Sequence, residues 1–321
     1  MLDSCGGRGY SGCMKAVFSA LLMSVATLCA GDYKKDFAEL KSKIAKEKME
    51  QHLADWRTRE PENPDTWILS SNWTLEQADG VEMRGKDGKI LPQGDYKMEM
   101  QGERIIIVGK NGKQVGEMVN HLNPAGVRKA AGFLSEALKK WPYRVDIHCG
   151  LATIYQRDGF WNEHVDALRA FAKSAGEQKG KLRWCHDEPV GQPEEEFVAD
   201  KLHSFAMRQY ERENPDGDRR FLEIGKLIVE TCPKSAKGYN DVAIAYGFAK
   251  DWQAVQPVLE KAAEIAPEDS IVWMNLGDNS VRLGNKPAAR KAYERVLELK
   301  PDPTMLKDVR EKLAKLGKDK A

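Results

Sequence analysis

The residues in this chain best able to do chemistry fall within one stretch: His148, Cys149, His164, Cys185, His186 and His203. Imidazole and thiolate are the ligands of structural zinc, and a thiol beside a histidine base is the start of a nucleophilic site. Neither chemistry has its usual spacing here. A zinc site is built from two close ligand pairs, whereas Cys185 and His186 are adjacent and the other residues are scattered. No sequence around Cys149 supplies a third orienting group or an oxyanion site. A glycine-rich phosphate loop, a Gly-x-Ser-x-Gly elbow and a His-Glu-x-x-His helix are all missing from the sequence. The expectation is a protein without catalytic residues, metal or cofactor.

Composition narrows the partners. Lysine and arginine total 50 against 49 acidic residues, so no net field would draw a nucleic acid or an anionic membrane. The strongest apolar run, 16–28, is about thirteen residues, short of the roughly twenty needed to span a bilayer. It follows Lys15 and leads into small residues at Cys29-Ala30-Gly31, the three-part layout of a secretory signal cut after Ala30 or Gly31. Met14 can begin that signal by itself, so 1–13 is set aside as an early start. Leu28 before Cys29 argues against a lipoprotein signal. An extracytoplasmic protein, periplasmic or secreted from a bacterium, is expected, with no membrane span once the signal is removed. Cleavage leaves Cys149, Cys185 and Cys232, an odd number, so at least one thiol stays unpaired. Buried, inert thiols are expected, with a single disulfide through Cys185 as the alternative.

Those side chains must be positioned by elements that repeat. Pro233, Pro267 and Pro301 recur every 34 residues, as do Phe205, Tyr239 and Trp273. Between them Val242-Ala243 matches Leu276-Gly277, Val255 matches Ala289, Leu259 matches Tyr293 and Ala262 matches Val296. Each slot keeps its size class, as two antiparallel helices require when small residues let backbones approach and aromatics fill the gaps. Proline then ends the second helix. Trp273, Leu276, Gly277, Gly284, Ala289, Tyr293 and Pro301 resemble the tetratricopeptide repeat, and Tyr239, Ala243, Tyr246, Ala262 and Pro267 repeat it, with Ser280 where an aromatic is usual. The resemblance implies a mainly α fold, a TPR-like α-α superhelix or helical hairpin solenoid of about five hairpins. It fades upstream: 202–235 is a hairpin with Arg208 and Gln209 in apolar and small slots, and 145–178 carries Leu151-Ala152, Tyr155, Gly159, Leu168 and Phe171.

Two segments break the period. Residues 79–119 carry Asp87-Gly88 and Asn111-Gly112 turn pairs and alternate over 96–100, so a small antiparallel β insertion is expected, with a hairpin of 104–108 against 113–118. It would separate N-terminal helices at 32–78, including a charged helix over 32–57 and another over 64–75, from TPR-like helices at 123–178. A long loop follows at 179–193, TPR repeats at 194–303 and a capping helix at 304–321. Asn72-Trp73-Thr74 fits a glycosylation acceptor but lies in an expected helix and is given no weight.

In this family the first helix of each hairpin lines a concave groove, which implies partner contacts at Lys237, Asn240, Ile244 and Phe248, then Ile271, Met274, Asp278 and Val281. Any of these can instead pack on the capping helix or a neighbouring hairpin. Trp184, in the long loop, either adds to the groove or folds back onto the repeats. The carboxylate-clamp slots of some relatives hold Cys149, Thr153, Ala206 and Tyr210, so that clamp is absent. The expected function is an exported scaffold that binds a protein or peptide, with Tyr239, Ala243, Trp273, Gly277, Ala289, Tyr293, Pro267 and Pro301 as structural residues. The alternative is a ligand-binding or catalytic protein whose site is formed by the β insertion and the 176–193 loop.

Overall fold

The computed structural model describes residues 39–318 except 88, 93, 102–103, 158 and 211–213. The signal read at 1–30 and the early start therefore lie outside the described residues. The chain divides into two compact units, a sheet unit of Tyr33–Pro142 with Gly150–His164, and a repeat unit holding Tyr143–Cys149 and Val165–Ala321.

The sheet unit opens with helical residues 39–43, then helix α1 (Lys46–Arg59). The single helix expected over 32–57 is broken at Ala45, whose backbone is extended at φ −62° and ψ 140°. The break has a phase reason. Leu40 and Ile44 are four apart, as are Met49 and Leu53, but Ile44 and Met49 are five apart, which in an unbroken helix would turn Met49 about 140° away from the stripe. Interrupting the helix brings all four onto Leu69 and Trp73 of α2 (Pro64–Ala78). Asn63 caps α2 through Asp65 N–H at 3.0 Å. The Asn72-Trp73-Thr74 triplet lies within this helix, with Trp73 buried.

Strands β1 (Asp79–Gly85), β2 (Lys97–Gln101), β3 (Arg104–Val108) and β4 (Gln114–Leu122) form an antiparallel sheet in the order β1-β4-β3-β2. The β3–β4 hairpin closes through Asn111-Gly112, with Gly112 at φ 71° and Gly109 N–H donating to Lys113 O at 2.9 Å. Gly116 pairs with Gly85, and it must lack a Cβ, which would lie 2.1 Å from Arg84 O. Helix α3 (Pro124–Lys140) is capped by Asn123, whose side chain accepts from Ala125 N–H at 2.9 Å. It buries Val127, Ala130, Ala131, Leu134 and Ala137, the three-and-four spacing of an amphipathic helix.

Helices α4 (Val145–Arg157) and α5 (Trp161–Glu177) precede the 178–193 segment, which holds a 3-10 turn at Cys185–Asp187. In the repeat unit, α6 (Glu194–Tyr210), α7 (Pro215–Thr231), α8 (Ala236–Phe248), α9 (Trp252–Ile265), α10 (Ser270–Arg282) and α11 (Lys286–Glu298) form successive hairpins, and α12 (Pro303–Lys318) follows. Their punctuation keeps the 34-residue pitch. Asp251 caps α9 through Ala254 N–H and Asn285 caps α11 through Ala288 N–H, both at 3.1 Å. Ser235 and Asp269 stand at the starts of α8 and α10 with the same separation.

Packing follows the size classes. Ala243, Val255, Leu259, Ala262, Val272 and Leu276 share one core, and Met274, Ala289, Tyr293, Val296, Met305 and Val309 share the next. Trp273 is partly buried against both and donates its indole N–H to Pro267 O at 3.0 Å. Gly277 must lack a Cβ, which would lie 2.4 Å from the Tyr293 ring. Upstream, Gln209 is fully buried and accepts from Arg220 Nε at 2.9 Å, so the amide oxygen of the polar residue in that small slot is met by a second polar residue from α7.

Candidate functional site

The reactive side chains are distributed among separate packing roles. His164 Nδ1 lies 2.9 Å from Ala152 O, His148 packs on Phe171 with ring centres 5.4 Å apart, and His203 Nδ1 lies 2.8 Å from Asp241 Oδ2. Cys149, Cys185 and Cys232 are free and buried. Burial pushes the Cys149 and Cys232 thiols up to about 12, so neither is a thiolate at neutral pH. Among the described residues no three His, Cys, Asp or Glu side chains are grouped to hold a metal.

The long segment is fastened at both ends. Glu194 accepts from Gly180 N–H at 2.6 Å and Leu182 N–H at 2.9 Å, and Arg183 exchanges backbone bonds with Tyr143 and Val145 at 3.0 and 2.9 Å. Beside it, Arg144 and Asp146 form a buried two-point ion pair at 2.9 and 2.8 Å. Trp184 stands edge-on to Phe197, centres 5.2 Å apart, with Lys201 Nζ 4.2 Å above its ring. Of the two positions open to Trp184, it takes the one folded back on α6.

The first-helix candidates occupy several environments. Met274 is buried with Met305 and Val309 of α12, and Ile271 packs at the edge of that cluster. Asp278 accepts from Tyr293 OH at 2.6 Å and from Lys312 Nζ of α12 at 2.6 and 2.7 Å. Ile244 is buried, Asn240 accepts from Asn275 at 2.8 Å, and Phe248 stacks with Tyr210 and Phe221 at 5.5 and 6.1 Å. Val281 is exposed. Burying the Tyr293 phenol beside the Asp278 carboxylate raises its pKa, so it stays a donor.

Lys237 has a different setting. It pairs with Asp200 and lines an open cleft of about 370 Å³ between the starts of α6, α8 and α10. The floor is Pro193, Ala236, Ile265 and Ala266, and the rim carries Glu195, Glu196, Lys234 and Asp269. Glu195 is held by Lys234 N–H at 2.8 Å. Within the cleft's lining, the side chains of Glu196 and Lys234 make no ion pair or hydrogen bond to any described residue, leaving one charge of each sign open. Of the residues lining this cleft, stripes along the helices single out Lys237 alone, since a cleft between helix starts has no stripe. The available signal was the recurrence of the starts themselves, Ser235 and Asp269.

The hairpins, their caps and their pitch define a class of helical-repeat proteins. Residues 270–303 match the family model described as a tetratricopeptide repeat. A search of curated proteins found no match. Similar solved structures include YrrB, titled a TPR protein with an unusual peptide-binding site, at 11% identity, covering 58% of this chain and 84% of that one with a TM-score of 0.36. A thermophilic TPR protein from Thermus thermophilus shares 15% identity over 60% of this chain and 91% of its own, TM-score 0.32. One from Parabacteroides merdae shares 13% over 89% and 86%, also at 0.32. Among the described residues no helix is long and apolar enough to cross a membrane.

Proposed function

We propose that this protein is a non-catalytic scaffold that works outside the cytoplasm and binds an extended segment of a partner protein in the cleft between the starts of α6, α8 and α10. The observation that carries this reading is the cleft itself, with an apolar floor and two unpaired rim charges of opposite sign, Glu196 and Lys234. Such a surface suits a peptide with a small apolar side chain flanked by charge, since apolar burial gives affinity and the rim sets orientation. Val281 offers a second apolar contact on α10, whereas Ile244, Phe248, Ile271 and Met274 contribute by fixing the helices. The absence of covalent chemistry is supported by the commitment of each buried histidine and thiol to packing. The export part of the proposal is supported by the signal layout at 14–31.

Selection of peptides from a displayed random library on the purified protein tests the binding site. Selected peptides should lose about tenfold or more in affinity against E196K/K234E, which swaps the rim charges, while the variant's melting stays within about 1 °C of the parent. Unchanged affinity would remove the cleft from the proposal.

A further inference from the structure

The sheet unit carries an interaction surface unrelated to the cleft. Strand β2 ends the sheet, and no described residue bonds to its outer edge. The other end is protected in part: the segment returning from β1 covers the Met83–Gly85 end of that strand's outer edge, with Gly85 N–H donating to Lys89 O at 2.8 Å and Leu91 N–H to Met83 O at 2.7 Å. Soluble proteins usually blunt a bare edge with proline, a bulge or an inward charge. β2 has no proline and no bulge, its charges Lys97 and Glu99 are of opposite sign, and all five of its residues, Lys-Met-Glu-Met-Gln, are exposed. Met98 and Met100, two apart and so on one face, are 62% and 69% exposed. Lys97, Glu99 and Gln101 share the opposite face.

We propose that β2 is a self-association edge, on which a second copy of this chain pairs its own β2 antiparallel across a twofold axis at Met98. The occupant follows from charge complementarity along the strand. A twofold pairing keeps each face of the sheet continuous, so only registers centred on a residue are allowed. Centring on Met98 sets Lys97 opposite Glu99 of the second copy, twice, on one face. On the other face it brings Met98 against its twin and Tyr96 against Met100. Centring on Glu99 would face two carboxylates, centring on Lys97 would face two ammonium groups, and centring on Met100 would set Glu99 against the uncharged Gln101 and forgo both ion pairs. Opposite charges directly across an antiparallel pair are favourable and like charges are not. Met98 and Met100, each of which faces an isoleucine on β3 across the ladder, gain a cover they lack in the monomer.

Five residue pairs make a small interface, so the dimer is weak, with a dissociation constant on the order of 100 μM. Sedimentation velocity of the full chain from about 5 to 500 μM should show the shift from monomer to dimer. K97E and E99K should each weaken dimerisation about tenfold or more, because each turns both cross-strand pairs into like charges. The double variant K97E/E99K restores both pairs and should dimerise as the parent does. Mixing K97E with E99K should give a heterodimer tighter than either alone. These exposed positions leave folding intact, which equal circular dichroism and melting would verify. A parent chain monomeric at 500 μM would overturn the proposal, as would a dimer indifferent to the single variants or a double variant that stays monomeric.

Discussion

The sheet unit and the repeat unit solve the same problem, covering backbone and apolar surface, by different means. The repeat unit covers each hairpin with the next and ends with α12, whose Met305 and Val309 close the last core and whose Lys312 answers Asp278. The sheet unit protects one end with the 89–91 segment and leaves β2 open at the other. A stacked repeat needs a cap because its units cannot bury their stripes alone. The β2 edge leaves bare hydrogen-bonding groups, which water satisfies, and only two apolar side chains, Met98 and Met100, so it can await a partner without unfolding.

Stability measurements can break this contrast. The largest loss is expected for Tyr293→Ala, which empties a site 1% exposed in the last core and leaves Asp278 with one fewer donor: about 3–5 kcal/mol by urea denaturation. Gly277→Ala should cost about 1–3 kcal/mol, because the new Cβ would lie 2.4 Å from the Tyr293 ring and force the helices apart. Trp273→Ala should cost about 2 kcal/mol, below the usual range for a buried tryptophan, as its side chain is only partly covered. At the other extreme, Met98→Ser with Met100→Ser should change stability by less than about 0.5 kcal/mol in dilute solution. A large cost there would mean that β2 is internal packing and not an open edge.

A pH series sharpens the contrast within the repeat unit. Burial works against the charged form of His203, but the charge and hydrogen bond of Asp241 outweigh it and raise the imidazole's pKa, with Asp200 adding to the effect and Lys237 opposing it. A raised folded pKa means the stabilisation is fully present below the ordinary value of 6.5 and is lost as pH rises through the folded value. Burial also raises the Asp241 carboxyl, which acts in the same direction from its ordinary value of 3.8 upward. Unfolding free energy should therefore fall as pH rises above neutrality, and His203→Gln should flatten that slope.

Much of the repeat unit was legible because spacing and residue size determine it. Pro267, Pro301, Tyr239, Trp273 and the Gly277–Tyr293 match all report one pitch. The Asn111-Gly112 turn was legible for a local reason, its glycine taking a positive φ. Other features depend on three-dimensional neighbours. The break at Ala45 has no glycine or proline to announce it and is forced by a five-residue step in an apolar stripe. Buried Gln209 is readable only with Arg220 beside it, eleven residues on. The groove stripe left open which of its residues the capping helix would take, and it takes Met274 and Asp278, since periodicity gives a face and not what meets it. Trp184 was ambiguous for the same reason, since its packing depends on Phe197 and Lys201 of α6 beside it.

Photo-cross-linking in cells tests the central claim most directly. A photoreactive residue at Glu196 or Lys234, on the cleft rim, should give a discrete partner adduct, while one at Gln253 or Lys291, exposed on the second helices of two hairpins, should give none. Adducts from Gln253 or Lys291 with none from the cleft would contradict the scaffold as described.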